Sequence, residues 1–579
     1  LKGLKVDLIR MRNHEEPLTW IRKNSSGQIA GAFGSLIRWS LSSDRNFRRG
    51  IQALMAYSFY ILPSLSDGQK KKFLSAISAD PSDGLDENFH SSFKRFVRQV
   101  VGVHPIKSEA QPLVTYSGSP SKKAPRFFMN RSVPQIDRIL DDLDLFNTTG
   151  GINLYLKYRD LYHPLLEGLD ERERYLEYLV QQNRDNPNLL QETVQGGEIH
   201  FIQEPGGKLR SVASPFRIHQ EALRPLGNTL YTMVKQSPWD CTFDHSKALS
   251  HIQSHLAGGG KIHSVDLSSA TDMFPLTIQM DVLRTVIPRQ QQNHVNLFEE
   301  ISRSCWKSQL GILQWTKGQP LGLYPSFAAF TLTHGLLLLY LAGGRYANQF
   351  FVLGDDVVIL NDELNDKYIA MLDRMGCPWS QEKSLSSDKL CEFAGKIITS
   401  KWVIPQLKWR KVSDDNFLDV AKLLGIRSRC LFTRQQREVF DWAAHLCEPI
   451  GLNFSLPGDN LEKMMLRTLQ ACRPEEVVLA SLMDLRGRVH RHMYSSRETF
   501  DTDKVKKICA TFDEKVMFAL SKTVFSRWES SISIGLEGLE TVPAALNTKS
   551  MLPLKEHQPT RLTTLLRYLR LMNPWQDHK

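Results

Sequence analysis

Four carboxylates stand where the chain could use them for chemistry. Asp355 and Asp356 lie side by side in "FFVLGDDVVIL" (350–360), between two apolar runs. Asp266 closes the expected buried strand 262–265 in "KIHSVDLSSATDMFPL", and Asp272 follows six residues later. Carboxylate oxygens are hard donors, and a pair fixed on rigid backbone can grip a divalent ion such as Mg²⁺. Each also has a plainer reading. Gly354-Asp355-Asp356 has the composition of a hairpin turn, and Asp266 before Ser-Ser-Ala makes a fair helix N-cap. In "KGQPLGLYPSFAAFTLTHGLLLLYL" a loop marked by Gly318, Pro320, Gly322 and Pro325 runs into a long apolar helix. Such a loop can bend close to a ligand backbone, and equally can be an ordinary connection to a core helix. The order strand-Asp, Gly-loop-helix, strand-Asp-Asp-strand between 262 and 360 is hard to reach with turns and caps alone.

The elements that must hold these groups are legible in outline. Strands are predicted at 262–265, 349–353 and 357–360, the last two joined as a hairpin with the paired aspartates at its turn. "GGKLRSV" predicts a strand that points Lys208 and Arg210 to one face, with Arg217 following. Arg suits bidentate phosphate contacts and Lys acts as a point charge; a solvated basic face reads equally well. Residues 27–102 read as mainly helical, and "IQALMAYSFYILPSL" within them as a core helix. "HPIKSEAQPLVTYSGSPSKKAP" reads as a linker or surface excursion, and helical patterns return in "SVPQIDRILDDLDLF" and "DERERYLEYLVQQN". From 198 to 400 short strands alternate with helices, and beyond 402 helices dominate again. No internal repeat is found.

Composition bounds the answer. At 579 residues, with 41% hydrophobic and 23% charged residues, the chain is globular and too long for one compact core. Lys and Arg number 73 against 62 Asp and Glu, a surplus of +11 that suits a polyanionic partner. The eight cysteines form no CxxC pair and no zinc-ligand spacing, which favours reduced, mostly buried thiols over a metal finger. The opening does not read as a signal peptide, although the chain starts with Leu and a leader could have been lost. No apolar run is long enough to span a bilayer, so no transmembrane segment is expected.

With these stretches in view, the sequence resembles viral RNA-dependent RNA polymerases, and within them the mitovirus, narnavirus and ourmia-like group. "DLSSATD", "GQPLGLYPSF" and "LGDDVVI" are similar to the first three palm motifs. "EKS" (382–384) and "EFAGKIIT" (392–399) resemble the fourth and fifth, the latter closest to ourmia-like members. "EPGGKLRSVASPFRIHQEALRPL" resembles the basic fingers motif, and "DCTFDH" an element after it. The resemblance implies an α+β right-hand fold with an antiparallel palm sheet. Residues 1–195 would be a mostly helical N-terminal extension with fingers, 196–400 a palm with inserted fingers, and 401–579 a helical thumb.

The resemblance also implies roles. Asp266 and Asp355, with Asp356 assisting, would hold two Mg²⁺ ions, or Mn²⁺, for nucleotidyl transfer. Lys383 would be the general acid toward the departing pyrophosphate. Lys208, Arg210 and Arg217 would hold the triphosphate, and Asp272 with Ser326 the ribose. Gly318 and Gly322 would shape the loop, and His334 is the nearest polar candidate where many related polymerases carry Asn on that helix. Partners would be template and product RNA and nucleoside triphosphates, with no protein partner indicated. The basic segments "RSRCLFTRQQREVF", "RGRVHRHMYSSR", "TRLTTLLRYLRL" and "SKKAPRFFMNRS" would meet RNA, or be solvated faces. The setting would be host cytoplasm, or the mitochondrion for a mitovirus relative. A reverse transcriptase and a catalytically inactive, polymerase-derived RNA-binding protein are the alternatives. Leu353-Gly354 before the aspartates and Asp272 in place of a bulky gate disfavour the first; intact Asp266, Asp355, Asp356 and Lys383 disfavour the second.

Overall fold

A computed structural model describes residues 1–107, 149–165, 194–406, 417–446 and 451–460, less 18–21, 27–28, 32 and 382. A few isolated positions between 177 and 182 and between 412 and 471 are also described. The segments 121–132, 486–497 and 560–571, most of the linker and the helices expected at 132–146 and 170–183 lie outside or almost outside these residues. The residues up to 406 belong to one compact unit and those from 412 onward to a second.

The first unit opens with helices. They are α1 (Lys2–Arg12), α2 (Gly34–Leu41), α3 (Asp44–Leu54), α4 (Asp67–Ile77) and α5 (Glu87–Val100). Their starts follow capping chemistry: Ser43 accepts from Asn46 N–H, Asp86 accepts from Phe89 N–H, and Ser66 with Gln69 forms a reciprocal box. The expected core helix over 51–65 is only half right. After α3 the chain tightens into a 3₁₀ turn, Met55–Phe59, and Phe59, Tyr60 and Ile61 face solvent. The Tyr60 carbonyl there accepts a hydrogen bond from Gly206 N–H (2.7 Å), so the segment serves as a brace and leaves the helical path.

A hairpin of β1 (Gln195–Glu204) and β2 (Lys208–Pro215) follows and leads into α6 (Arg217–Gln236). Then come β3 (Ile262–Asp266), α7 (Leu276–Val286), β4 (Cys305–Ser308) and β5 (Gly311–Leu313). The largely apolar α8 (Ser326–Leu341) precedes the hairpin β6 (Phe350–Leu353) and β7 (Asp356–Ile359). After α9 (Asp362–Arg374) come β8 (Leu385–Ser387), β9 (Leu390–Phe393), β10 (Lys396–Thr399) and β11 (Val403–Pro405). The central sheet runs β8-β3-β7-β6, antiparallel throughout. A second sheet runs β2-β1-β4-β5, with β1 and β4 parallel, and a third, antiparallel, runs β9-β10-β11.

Period-two alternation sends the apolar side chains of the central strands to both faces. Val265, Phe350, Val352, Val357 and Ile359 join the large core under α5 to α8, while Ile262, Phe351 and Val358 join a smaller one with Cys391, Phe393 and Ile398. Both faces are covered. Helices α1 to α3 pack Leu4, Leu8, Phe47 and Ile51 against Leu385, Leu390, Ile397 and Ile404. The loop before α8 is held backbone to backbone: Gly318 N–H donates to Asp272 O (3.1 Å), Gln319 N–H to Thr271 O (2.9 Å), and Ala213 N–H to Leu321 O (2.7 Å).

The second unit has α10 (Phe417–Leu424), a 3₁₀ turn (Ile426–Leu431) and α11 (Arg434–Ala443), packed through Phe417, Phe432 and Phe440. In the basic stretch 427–440, Arg429 is spent in a two-pronged ion pair with Asp441 (2.6 and 2.7 Å). Among the described residues no helix is long and apolar enough to cross a membrane.

The loop generates a prediction. Gly322 has φ 143°, and a Cβ on it would strike the carbonyl of Ala213. Gly322→Ala is expected to lower stability by more than about 2 kcal/mol. Gly68→Ala, in open space in the first turn of α4, is expected to cost nothing. Thermal denaturation of the two variants checks this.

Candidate active site

The site begins with a strand register. Antiparallel pairing sets Asp266, last in β3, directly opposite Asp356, first in β7. Leu353 pairs with Asp356, so Gly354 and Asp355 alone form the turn. Gly354 carries φ 63°, which suits the first position of a two-residue hairpin turn. Asp355 is exposed at its tip and Asp356 is largely enclosed. All three carboxylates lie at one end of the sheet, as the spacing suggested, and Asp266 is not a helix cap: Ser269 precedes the one-turn helix Ala270–Met273.

Lys383 joins them. Its Nζ lies 2.6 Å from Asp266 Oδ2, with both side chains a little under half exposed. The segment carrying it is bound to Asp266 by backbone as well. Ser380 N–H donates to the Asp266 carbonyl (2.8 Å), and Asp266 N–H donates to Ser384 Oγ (3.2 Å).

Asp356 is tied from the other side. The turn between β9 and β10 uses Ala394 (φ 52°) and Gly395 (φ 69°), and this conformation aims the Ala394 N–H at Asp356 Oδ2, 2.7 Å away. Burial pushes the Asp356 carboxyl up to about 7 against that hydrogen bond, and the charges of Asp355, Glu392 and Asp266 push the same way. Crowded carboxylates of this kind are relieved by a divalent cation, and all-oxygen donors suit Mg²⁺ or Mn²⁺. The residues therefore fit such ions. Among the described residues, though, no three carboxylate, imidazole or thiol groups are already gathered at ligand distance around one point. Lys383 occupies one of the two Asp266 carboxylate oxygens, Oδ2.

Asp272 lies in the one-turn helix Ala270–Met273 that follows β3. Its Oδ1 accepts from the Trp315 indole N–H (2.8 Å), and burial raises its carboxyl to about 6. The residues expected to hold phosphates divide. Lys208 and Arg210 are both exposed on β2, and Arg210 also pairs with Glu204 (2.7 Å). Arg217 does not join them. It is 5% exposed at the start of α6, so its guanidinium faces the interior.

Two expected sugar contacts also have other employment. Ser326 is buried and donates to the Pro320 carbonyl (2.9 Å), closing the loop before α8. His334 is fully buried between the Gly354 carbonyl (2.9 Å) and the Tyr368 hydroxyl (2.6 Å). Burial lowers its pKa to about 4, so it is neutral; Nδ1–H donates to Gly354 and Nε2 accepts from Tyr368. It holds the aspartate turn in place. Gly318 and Gly322 belong to the loop as expected, and Gly318 lies against the Asp272 carbonyl.

Sequence reasoning missed Trp315, Glu392, Ala394, Lys2 and Lys5. Only Ala394-Gly395 carried a usable signal, a turn dipeptide between two short apolar runs.

Comparison with known proteins follows this geometry. Residues 138–446, more than half of the chain, match the family described as mitovirus RNA-dependent RNA polymerase. The chain belongs to that family. It is 29% identical over 206 residues to the RNA-directed RNA polymerase of Cryphonectria parasitica mitovirus 1, covering 35% of this chain and 25% of that one. The chain thus spans about a quarter of that relative's length. It is also 31% identical over 163 residues to an uncharacterized mitochondrial protein of Arabidopsis thaliana, covering 26% of this chain and 77% of the relative. A second such protein is 31% identical over 216 residues, 81% of its length. A crystal structure of the RNA-dependent RNA polymerase of a human picorbirnavirus aligns over 90% of this chain and 92% of its own, with 14% identity and a TM-score of 0.40. Of the virus groups the motifs suggested, the family and the viral relative are those of mitoviruses; "EFAGKIIT" had leaned toward ourmia-like members.

The burial of Asp272 has a pH signature. Its carboxyl, held near 6, keeps a proton in the folded chain that the unfolded chain releases near pH 4. Stability therefore falls as pH rises from about 4 to 6, and above that the buried charge costs roughly 1–3 kcal/mol. Asp272→Asn keeps an acceptor for Trp315 and is expected to melt higher than the parent at pH 7.5. The gain should vanish below pH 4. Melting curves across pH measure it.

Proposed function

We propose that this chain is a template-directed RNA polymerase that copies a positive-strand viral RNA genome. The observation that carries the reading is the facing of Asp266 and Asp356 across one strand pair, with Asp355 at the adjoining turn and Lys383 on Asp266. Membership of the mitovirus polymerase family supports it. We assign the central antiparallel sheet and the rest of 196–400 to a palm with inserted fingers, 1–195 to an N-terminal extension with fingers, and 401–579 to a thumb. The partners are template and product RNA and the four nucleoside triphosphates. The working compartment is the mitochondrion, a reading supported by the mitoviral family and the mitochondrial relatives.

In the reaction a primer 3′-hydroxyl attacks the α-phosphate of a nucleoside triphosphate and pyrophosphate departs. Two divalent ions, Mg²⁺ or Mn²⁺, held by Asp266 and Asp355 with Asp356, would acidify the hydroxyl and neutralise charge on the departing group. The remaining work falls to side chains. Lys208 and Arg210 stand exposed on one strand face to meet the triphosphate. Lys383, released from Asp266, gives a proton to the pyrophosphate. Asp272 keeps Oδ2 for the ribose 2′-hydroxyl while Trp315 fixes Oδ1. The two glycines of the loop let its backbone lie against the Asp272 turn and β2.

Primer extension by the purified protein with Mg²⁺ and each nucleotide type tests the reading. Asp355→Ala is expected to abolish extension and leave RNA affinity within about twofold, because RNA is held by counterion release at basic groups. Extension by a folded Asp355→Ala variant would remove that residue from the chemistry. Asp272→Ala is expected to narrow the preference for ribonucleotides over deoxyribonucleotides roughly tenfold or more, one charge-assisted hydrogen bond being worth about 1.5–3 kcal/mol. Equal losses for both sugars, measured as kcat/KM on one template, would confine Asp272 to a structural role.

A further inference from the structure

Helix α1 reaches the catalytic end of the central sheet. A cavity of about 110 Å³ lies between them, lined among others by Lys2, Lys5, Asp266, Asp356, Lys383 and Glu392. Most of these charges are matched. Lys5 is 7% exposed and is shared between Glu392 (3.3 Å) and Gln406 (2.6 Å). Lys383 is on Asp266, and Asp356 has the Ala394 N–H. Lys2 is different. Among the described residues its ammonium makes no hydrogen bond or ion pair, yet it stands within the fields of Lys383, Lys5 and Lys208, opposed by that of Asp266. Partial burial and those three like charges hold its pKa below the usual lysine value.

Lys2, Lys5 and Lys383 line this cavity together with Asp266, Asp356 and Glu392; Lys5 and Lys383 are paired with carboxylates, so among the described residues Lys2 is the ammonium held near like charges without a carboxylate of its own. A fold keeps such an arrangement at a cost, and a polyanion in their midst removes the cost. Lys208 ties this cluster to the exposed basic face of β2, and Lys383 ties it to the carboxylates. We propose that Lys2 is a binding residue for the polyphosphate of the incoming nucleoside triphosphate, and that α1 forms one wall of its site. The inference rests on the polymerase reading for the identity of the nucleotide. It adds a contact that none of the motifs between 200 and 400 contains. Lys5, fixed by Glu392 and Gln406, anchors the helix so that Lys2 is presented at the cavity mouth. The RNA backbone fits the cluster less well, because its single charges are spaced along a chain while the triphosphate gathers several at one point.

Lys2 has no partner to lose, so its replacement should leave folding untouched. In the full chain, Lys2→Gln is expected to keep the melting temperature, to weaken binding of inorganic tripolyphosphate measured by calorimetry threefold to tenfold, and to raise KM for each nucleotide by the same factor. kcat and RNA affinity should stay within twofold. Lys2→Arg should retain most binding, and Lys2→Glu should lose more than Lys2→Gln. Unchanged tripolyphosphate affinity and KM in Lys2→Gln would overturn the proposal. So would a loss of RNA affinity with tripolyphosphate affinity intact, which would hand Lys2 to the RNA backbone. Lys2-dependent tripolyphosphate binding by a wild-type protein that extends no primer would instead defeat the polymerase reading and leave the polyphosphate site standing.

Discussion

The register of β3 against β7 is the constraint on which the chemistry depends. Side chains alternate across a sheet with a period of two, so a slip of one residue would turn Asp266 away from Asp356 and bury a charge in an apolar core. The fold protects this register from both faces. Val265, Val357 and Ile359 are locked under the helices on one side, and Ile262 and Val358 against Phe393 and Ile398 on the other. Both faces are filled, and the carboxylates of these two strands stand at their ends, Asp266 closing β3 and Asp356 opening β7.

Around that pair the structure solves a second problem, the cost of holding several negative charges close together. It does so with donors drawn from distant parts of the chain. Lys383 comes from 117 residues beyond Asp266, and the Ala394 N–H from 38 beyond Asp356. Lys5, at the start of the chain, takes up Glu392. Neutral His334 contributes no charge and instead fixes the Gly354 carbonyl from within α8. The donors come from a helix, a loop and a turn, each held by its own packing or backbone hydrogen bonds.

The loop before α8 is held by its backbone as well as by side chains such as Gln220, Gln319 and Ser326. Its backbone hydrogen bonds run to Thr271, Asp272 and Ala213, which means that it couples the turn after β3 to β2. Glycine is required where those backbones meet, since any Cβ on Gly318 or Gly322 would occupy space held by carbonyl oxygens. Ser326, expected to face a ligand, closes the same loop from inside.

The sequence alone determined the chemistry-bearing core. Apolar runs of strand length, each ending in or interrupted by aspartate, placed Asp266, Asp355 and Asp356 at strand ends, because an ionised carboxylate cannot sit inside such a run. The alternation in "GGKLRSV" likewise put Lys208 and Arg210 on one face, and the structure agrees. What the tertiary structure decided was which polar groups are available to a ligand. Arg217, Ser326 and His334 have the right chemistry for a substrate, but burial and internal hydrogen bonds commit the last two to the protein and turn the first inward. Lys2 is unremarkable in sequence and Ala394 is marked there only as part of a turn, yet they arrive at the carboxylates because α1 packs on β8 to β11 and because that turn takes positive φ. Local pattern fixes which way a side chain points within its own strand; which partner it meets depends on contacts tens to hundreds of residues away, and no short stretch of sequence contains them.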